Sequence, residues 1–251
     1  MDLGLNEHVY VVTGGGRGLG RATADLLVAE GARVVLSGRS EESLEGAVAE
    51  LGEAAVAVVG DNADPATADR LVEAATRRWG RLDGALISVG GPPKGSVMET
   101  PDEVWTASFE SVFLGGVRVA RAVAGAITGP GSIAFVLSTS VHQPLPEMAT
   151  SNGLRPGLAM VAKQLADELG PRDIRVNGLL PGRVATERVA ELDASSGDAD
   201  AAREKAMATI PLGRYGEPEE FAAAAAFLLS PASSFVSGTM LPVDGGMLRA
   251  L

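Results

Sequence analysis

The sequence predicts an α/β protein: one domain built on a doubly wound parallel sheet of about seven strands, with helices on both faces. Three observations predict it. Short apolar runs alternate with helix-length amphipathic segments along the 251 residues, the rhythm of βαβ units. Most of those runs are almost continuously apolar rather than alternating, as strands covered on both faces are. No internal repeat and no Pro/Gly/Ser-rich linker divides the chain, so residues 1–251 read as a single domain.

Each element has a local reason. The strand runs are Val9–Thr13, Arg33–Ser37, Ala55–Val59, Ala85–Val89, Ser132–Leu137, Arg175–Leu180 and Met240–Val243. The helical segments are Arg21–Ala29, Glu41–Leu51, Ala66–Arg78, Asp102–Ala126, Leu154–Leu169 and Glu219–Leu229. Ser40, with Ser43 and Glu45 in the turns that follow, marks a helix start. Gly31, Gly52, Gly80 and Gly170 follow helix ends, where glycine tolerates the chain reversal. Leu192–Ala202, rich in Ala, Ser, Asp and Gly, has two readings: a solvated helix start, or part of a lid spanning 186–212.

Composition excludes several function classes. Lys and Arg number 21 against 32 Asp and Glu, a formal net charge of −11, which disfavours nucleic acid and anionic membrane surfaces. Cysteine is absent, so disulfides, thiolate metal sites and cysteine nucleophiles are excluded. No His, Asp or Glu cluster has metal-ligand spacing, and no metal is expected. Without a basic, apolar leader at Met1–Val12 or an 18-residue apolar run, the expectation is a soluble, cytoplasmic protein.

The first motif with a mechanism is Thr13-Gly14-Gly15-Gly16-Arg17-Gly18-Leu19-Gly20, between the first strand run and the first helical segment. Glycines permit a tight turn and close backbone approach, and the helix start presents unpaired N–H groups to a pyrophosphate. In such units an acid near the end of the second strand bonds a ribose 2′-OH, whereas arginine suits a 2′-phosphate. Here that strand ends Leu36-Ser37-Gly38-Arg39, and Arg17 adds a second cation, so NADP(H) is expected over NAD(H).

These residues resemble the short-chain dehydrogenase/reductase family, in particular its 3-oxoacyl-carrier-protein reductase-like members, over essentially the whole chain. Thr13-Gly14 through Gly18 and Gly20 resembles the family's TGxxxGxG. Asp61, beside Asn62, corresponds to the acid that meets the adenine. Pro181-Gly182 with Val184 and Thr186 resembles the PG-x-V-x-T stretch on the nicotinamide. Val236-Ser237-Gly238 and Val243-Asp244-Gly245-Gly246 resemble the C-terminal stretch. The resemblance implies a Rossmann-type fold, a nicotinamide cofactor, a small-molecule substrate and a homo-tetramer or homo-dimer.

It also implies an Asn–Ser–Tyr–Lys catalytic set, from which this chain departs. Ser138 matches the Ser that orients the carbonyl. Counting back from Arg175-Val176-Asn177 places Ser151 where the family has its proton-transferring Tyr. Arg155 stands where the family has the Lys that lowers the Tyr pKa and holds the ribose. The Asn position falls near Val112, and the usual NNAG reads Ser88-Val89-Gly90-Gly91, with Gly90 beside the cofactor. Neither Tyr10 nor Tyr215 has Lys at i+4, so Tyr-x-x-x-Lys occurs in no register.

A serine hydroxyl is a far poorer acid than a tyrosine beside a cation, and an arginine stays charged. Ser151 and Arg155 share one helix face at i,i+4, which leaves Arg155 a bond to the ribose. His142, four residues past Ser138, is the neutral-pH acid or base nearest the site. Glu147 on the same loop is a weaker candidate, and Lys94 reads as an exposed loop lysine. Two functions are open: an NADP(H)-dependent oxidoreductase on a small carbonyl or alcohol with an atypical proton donor, or a catalytically silent relative that binds nucleotide or partners.

Overall fold

The computed structural model describes residues 2–91, 93–195 and 197–250. Seven parallel strands form one sheet: β1 (Val9–Thr13), β2 (Arg33–Gly38), β3 (Ala55–Val59), β4 (Gly84–Ser88), β5 (Gly131–Val136), β6 (Ile174–Pro181) and β7 (Met240–Val243), in the order β3-β2-β1-β4-β5-β6-β7. The pairing of Val9 with Arg33 and of Tyr10 with Gly84 fixes the central registers. Every residue of β1 is buried, the consequence of helices on both faces.

The helices are α1 (Gly18–Ala29), α2 (Glu41–Leu51), α3 (Pro65–Trp79), α4 (Asp102–Ser108), α5 (Gly115–Ala126), α6 (Ala149–Leu169), α7 (Glu187–Ala194), α8 (Ala199–Met207) and α9 (Pro218–Leu229). One core layer joins Val11, Val35, Ile87, Val123, Phe135 and Leu158; the other joins Val12, Leu27, Leu36, Leu86, Leu179 and Phe221. Adjacent residues Val11 and Val12 serve opposite layers because strand side chains alternate faces. Ser40 Oγ accepts from the Ser43 N–H at 3.2 Å, as the helix-start signal implies.

Three segments differ from the sequence expectation. The helix expected over Asp102–Ala126 is interrupted by a π-helical turn, Phe109–Leu114. The turn reads Phe-Glu-Ser-Val-Phe-Leu, a mixture that helical periodicity does not mark as a break. Just past the turn, Gly115 is pressed so close to Asn62 that a Cβ there would lie 2.4 Å from the Asn62 carbonyl oxygen. The helix expected from Leu154 starts at Ala149 and takes Pro156 inside it. And the range 186–212, read as a lid, holds two short helices, α7 and α8; α8 starts at Ala199, inside the Leu192–Ala202 stretch read as a solvated helix start, whereas α7 is not signalled by the weak apolar pattern.

α9 opens on an ionic clamp. Arg214 donates to both oxygens of Glu220 at 2.7 Å, and Glu220 accepts from the Glu217 N–H at 2.8 Å. The Arg214 guanidinium first, and that N–H second, hold the Glu220 carboxyl well below the usual range, at about 2. The unfolded chain takes up this proton first, so the contribution is complete above about pH 4.3 and is lost as pH falls towards 2. Both side chains are about half exposed, so the effect is small. Glu220→Gln is expected to lower stability slightly at pH 7 and to flatten the acid limb by that same small amount, so that variant and parent converge near pH 2, read by denaturant titration at several pH values.

Candidate cofactor and catalytic site

The strand order reverses between β1 and β4, and in doubly wound sheets the crevice at the carboxyl ends of such a pair is where ligands bind. Thr13 Oγ1 donates to the Ser88 carbonyl at 2.8 Å, tying those two ends together. The glycine turn lies directly above. Gly14 and Gly18 have φ of +64° and +57°, which disfavours any side chain. A Cβ on Gly20 would lie 2.3 Å from the Gly14 carbonyl oxygen, so α1 packs on the turn only because residue 20 is glycine. Arg17 precedes α1 without a side-chain cap, and the first turn of α1 carries no acid, so neither supplies an acceptor to its N–H groups. Leu19 is half-buried and Gly16 faces Ser43.

The other candidate cofactor residues ring the same edge. Arg39 is exposed past the end of β2, where Ser37 Oγ is buried without a hydrogen-bond partner among the described residues. Asp61 Oδ1 accepts from the Ala63 N–H at 2.9 Å, which fixes the loop after β3. Asn62 packs on Gly115, while Gly90 has open space where a side chain would be. Pro181 ends β6, and Gly182 lies so close to Asp244 that a Cβ would meet it at 2.7 Å. Val184 bridges to Gly216, and Thr186 caps α7 by accepting from the Val189 N–H at 3.3 Å.

The catalytic candidates lie at the end of β5 and the start of α6. Ser138, half-buried, accepts from the Ser140 N–H at 3.1 Å. Ser151 is buried and meets the Ser140 hydroxyl, 3.2 Å away. Arg155 is buried with Nη1 donating to the Val136 carbonyl at 2.8 Å and the Leu137 carbonyl at 3.0 Å. Burial lowers its pKa to about 10, still a cation at neutral pH, and no carboxylate among the described residues pairs with it. His142 is exposed, and its backbone N–H bonds the Thr139 carbonyl; no hydrogen bond among the described residues joins its ring to Ser138. Val112 is buried in the π turn. Both phenols are engaged elsewhere, Tyr10 with the Leu229 carbonyl and Tyr215 with Asp193 Oδ2.

α7 spans the crevice. Lys94 Nζ, from the loop after β4, donates to the Leu192 carbonyl at 2.8 Å and to Ser195 Oγ at 2.6 Å. Arg17 of the glycine turn faces Glu191 at 3.8 Å. Asp193 holds the helix to its own base through Arg183 at 3.0 Å and Tyr215 at 2.9 Å. No local spacing marks the meeting of Glu191 with Arg17 or of Lys94 with Leu192 and Ser195, whose partners are far apart in the chain, and none marks Ser140, whose turn folds back on α6.

Known proteins resemble this chain in sequence and in fold. Residues 14–248 match the family described as enoyl-(acyl carrier protein) reductase. Levodione reductase of Leifsonia aquatica is 34% identical, covering 98% of this chain and 96% of its own. L-rhamnose 1-dehydrogenase (NAD(P)(+)) of Azotobacter vinelandii is 32% identical, covering 97% of each chain. The structure of L-sorbose reductase from Gluconobacter frateurii, complexed with NADPH and L-sorbose, superposes with a TM-score of 0.95 at 31% identity over 100% of both chains. Actinorhodin polyketide ketoreductase with NADPH gives a TM-score of 0.92 at 31% identity over 97% of this chain and 98% of that one. The chain belongs to the short-chain dehydrogenase/reductase family. No helix among the described residues is long and apolar enough to cross a membrane.

Proposed function

We propose that the protein is an NADP(H)-dependent oxidoreductase acting on a small carbonyl or alcohol, with 3-oxoacyl compounds as one candidate class. The glycine turn carries this reading: backbone free of side chains leads into an uncapped helix start whose N–H groups suit a pyrophosphate. Arg17 and Arg39, beside a β2 end without an acid, support the 2′-phosphorylated dinucleotide. The NADPH held by L-sorbose reductase and by actinorhodin polyketide ketoreductase supports the same choice. Relatives named for reductase and dehydrogenase activities favour turnover over a silent role.

The nicotinamide, when bound, supplies the hydride. In this proposal Gly14, Gly16, Gly18, Leu19 and Gly20 take the pyrophosphate, Arg17 and Arg39 the 2′-phosphate, and Asp61 with Asn62 the adenine. Gly90, Pro181, Gly182, Val184 and Thr186 line the nicotinamide end. Ser138 orients the substrate oxygen. Arg155 stabilises negative charge on that oxygen and bonds the ribose through the nitrogens its carbonyl bonds leave over, but passes no proton. The Ser151 hydroxyl is held by Ser140 and is too weak an acid to replace a phenol, so the proton comes from His142 or from solvent. The lid over 186–212 closes the site, with Lys94 holding α7.

Titration of the purified protein with NADPH and with NADH tests the cofactor reading. The expected result is micromolar NADPH binding and at least tenfold weaker NADH, the scale of one lost phosphate–arginine contact. Equal affinities would overturn the roles of Arg17 and Arg39, and no binding of either would remove the oxidoreductase assignment. A homo-dimer or homo-tetramer belongs to the same reading, supported by the fully exposed Phe235 and exposed Met160.

A further inference from the structure

The acidic face that α7 turns towards the glycine turn has no part in the chemistry above. Glu187 and Glu191 are one helical turn apart and therefore share a face of α7. Glu191 meets Arg17 at 3.8 Å. Glu187 Oε2 lies 3.9 Å from where a Cβ of Gly18 would be, and Thr186 Cγ2 lies 3.6 Å from the same point. Two carboxylates thus overhang the stretch of backbone that a dinucleotide phosphate would approach, and one already faces the arginine that stretch contributes. From the other wall of the crevice, the bonds of Lys94 to Leu192 and Ser195 hold the helix down in this position.

We infer that Glu191, with Glu187 behind it, is a specificity-determining competitor: it takes Arg17 when the cofactor phosphate is away and must surrender it when the phosphate arrives. The inference rests on the cofactor reading above and deepens it. An arginine presents one fork of donors, and a phosphate bearing up to two charges is the stronger acceptor. The exchange therefore favours the phosphorylated dinucleotide, but by less than a free arginine would give. The carboxylates also repel the incoming phosphates. Part of the intrinsic affinity for NADPH is spent in displacing them, and release is correspondingly quicker. NADH lacks the group that competes for Arg17, so its binding responds less to Glu191. Glu191 also faces Arg188 at 3.4 Å, one turn back on the same helix.

The test is a binding cycle read by tryptophan or nicotinamide fluorescence, with no need of a substrate. Glu191→Gln is expected to tighten NADPH by about fivefold, the upper range of an exposed ion pair, and to change NADH by less than about twofold. Adding Glu187→Gln is expected to raise the NADPH gain to about tenfold, since like charge near the phosphate is then removed as well. In an Arg17→Ala background the Glu191→Gln gain is expected to shrink to less than about twofold, the share due to repulsion alone, because its main route is gone. An unchanged or weaker NADPH affinity in Glu191→Gln, or a gain that keeps its full size without Arg17, would overturn the inference. If neither the parent protein nor any variant binds a dinucleotide, the cofactor reading itself fails, an outcome distinct from equal binding by parent and variant.

Discussion

Gly20→Ala is expected to lose dinucleotide binding by at least about a hundredfold and to lose about 3 kcal/mol of stability, the upper range for an overpacked site. The added methyl would lie 2.3 Å from the Gly14 carbonyl oxygen, 2.8 Å from its carbon and 3.2 Å from the Thr13 oxygen. All three are backbone atoms, so no rotamer change relieves the clash. Either α1 moves off the turn or the turn opens, and both displace the N–H groups that suit a pyrophosphate. Gly46→Ala is the control. It lies mid-helix in α2 with nothing within 4 Å of its would-be Cβ, so a gain of about 0.5–1 kcal/mol is expected there. Thermal melts and NADPH titration of the two variants decide the matter. A Gly20→Ala protein that binds with parental affinity would show that the turn is only a structural connection.

Arg155→Met is expected to separate stability from turnover. Two stability effects oppose one another. Removing the guanidinium leaves the Val136 and Leu137 carbonyls without their donors, at about 1–3 kcal/mol for a buried group left unpaired. The same change removes a buried cation that no carboxylate compensates, and the desolvation of such a charge is worth several kcal/mol. The expected net is a small shift in Tm of either sign. Turnover of any accepted carbonyl substrate is expected to fall by 10²–10³, the effect of losing one preorganised donor at a developing oxyanion. Ser138→Ala is expected to lose a similar factor. Arg155→Lys keeps the charge but not the fork, and should recover part of the loss. Parental kcat/KM in Arg155→Met would assign Arg155 to holding α6 against β5 and nothing more.

Arg155 also shows where sequence reading stops. Its i,i+4 relation to Ser151 is a property of the helix, and the structure keeps both residues on the buried face at the end of β5. Which groups each would meet is not a property of the helix. Ser151 finds Ser140, and Arg155 finds the carbonyls of Val136 and Leu137, so their partners lie at the last residue of β5 and in the turn that follows it. His142 illustrates the reverse case: near Ser138 in sequence, it leaves the β5 end with its side chain in solvent.

The sequence by itself determined the sheet, most of its helices and the glycine turn. Each depends on interactions among residues close along the chain: continuous apolar runs for two-sided burial, 3.6-residue spacing for helix faces, and glycine where φ is positive or backbone approaches backbone. Only the tertiary structure decided the π turn at Phe109–Leu114, the seating of α7 across the crevice, the capture of Lys94 by Leu192 and Ser195, and the meeting of Arg17 with Glu191. Lys94 and Leu192 are 98 positions apart. No period or propensity carries information over such a distance; it is supplied when the packed core fixes where the ends of the strands, and the loops they carry, come together.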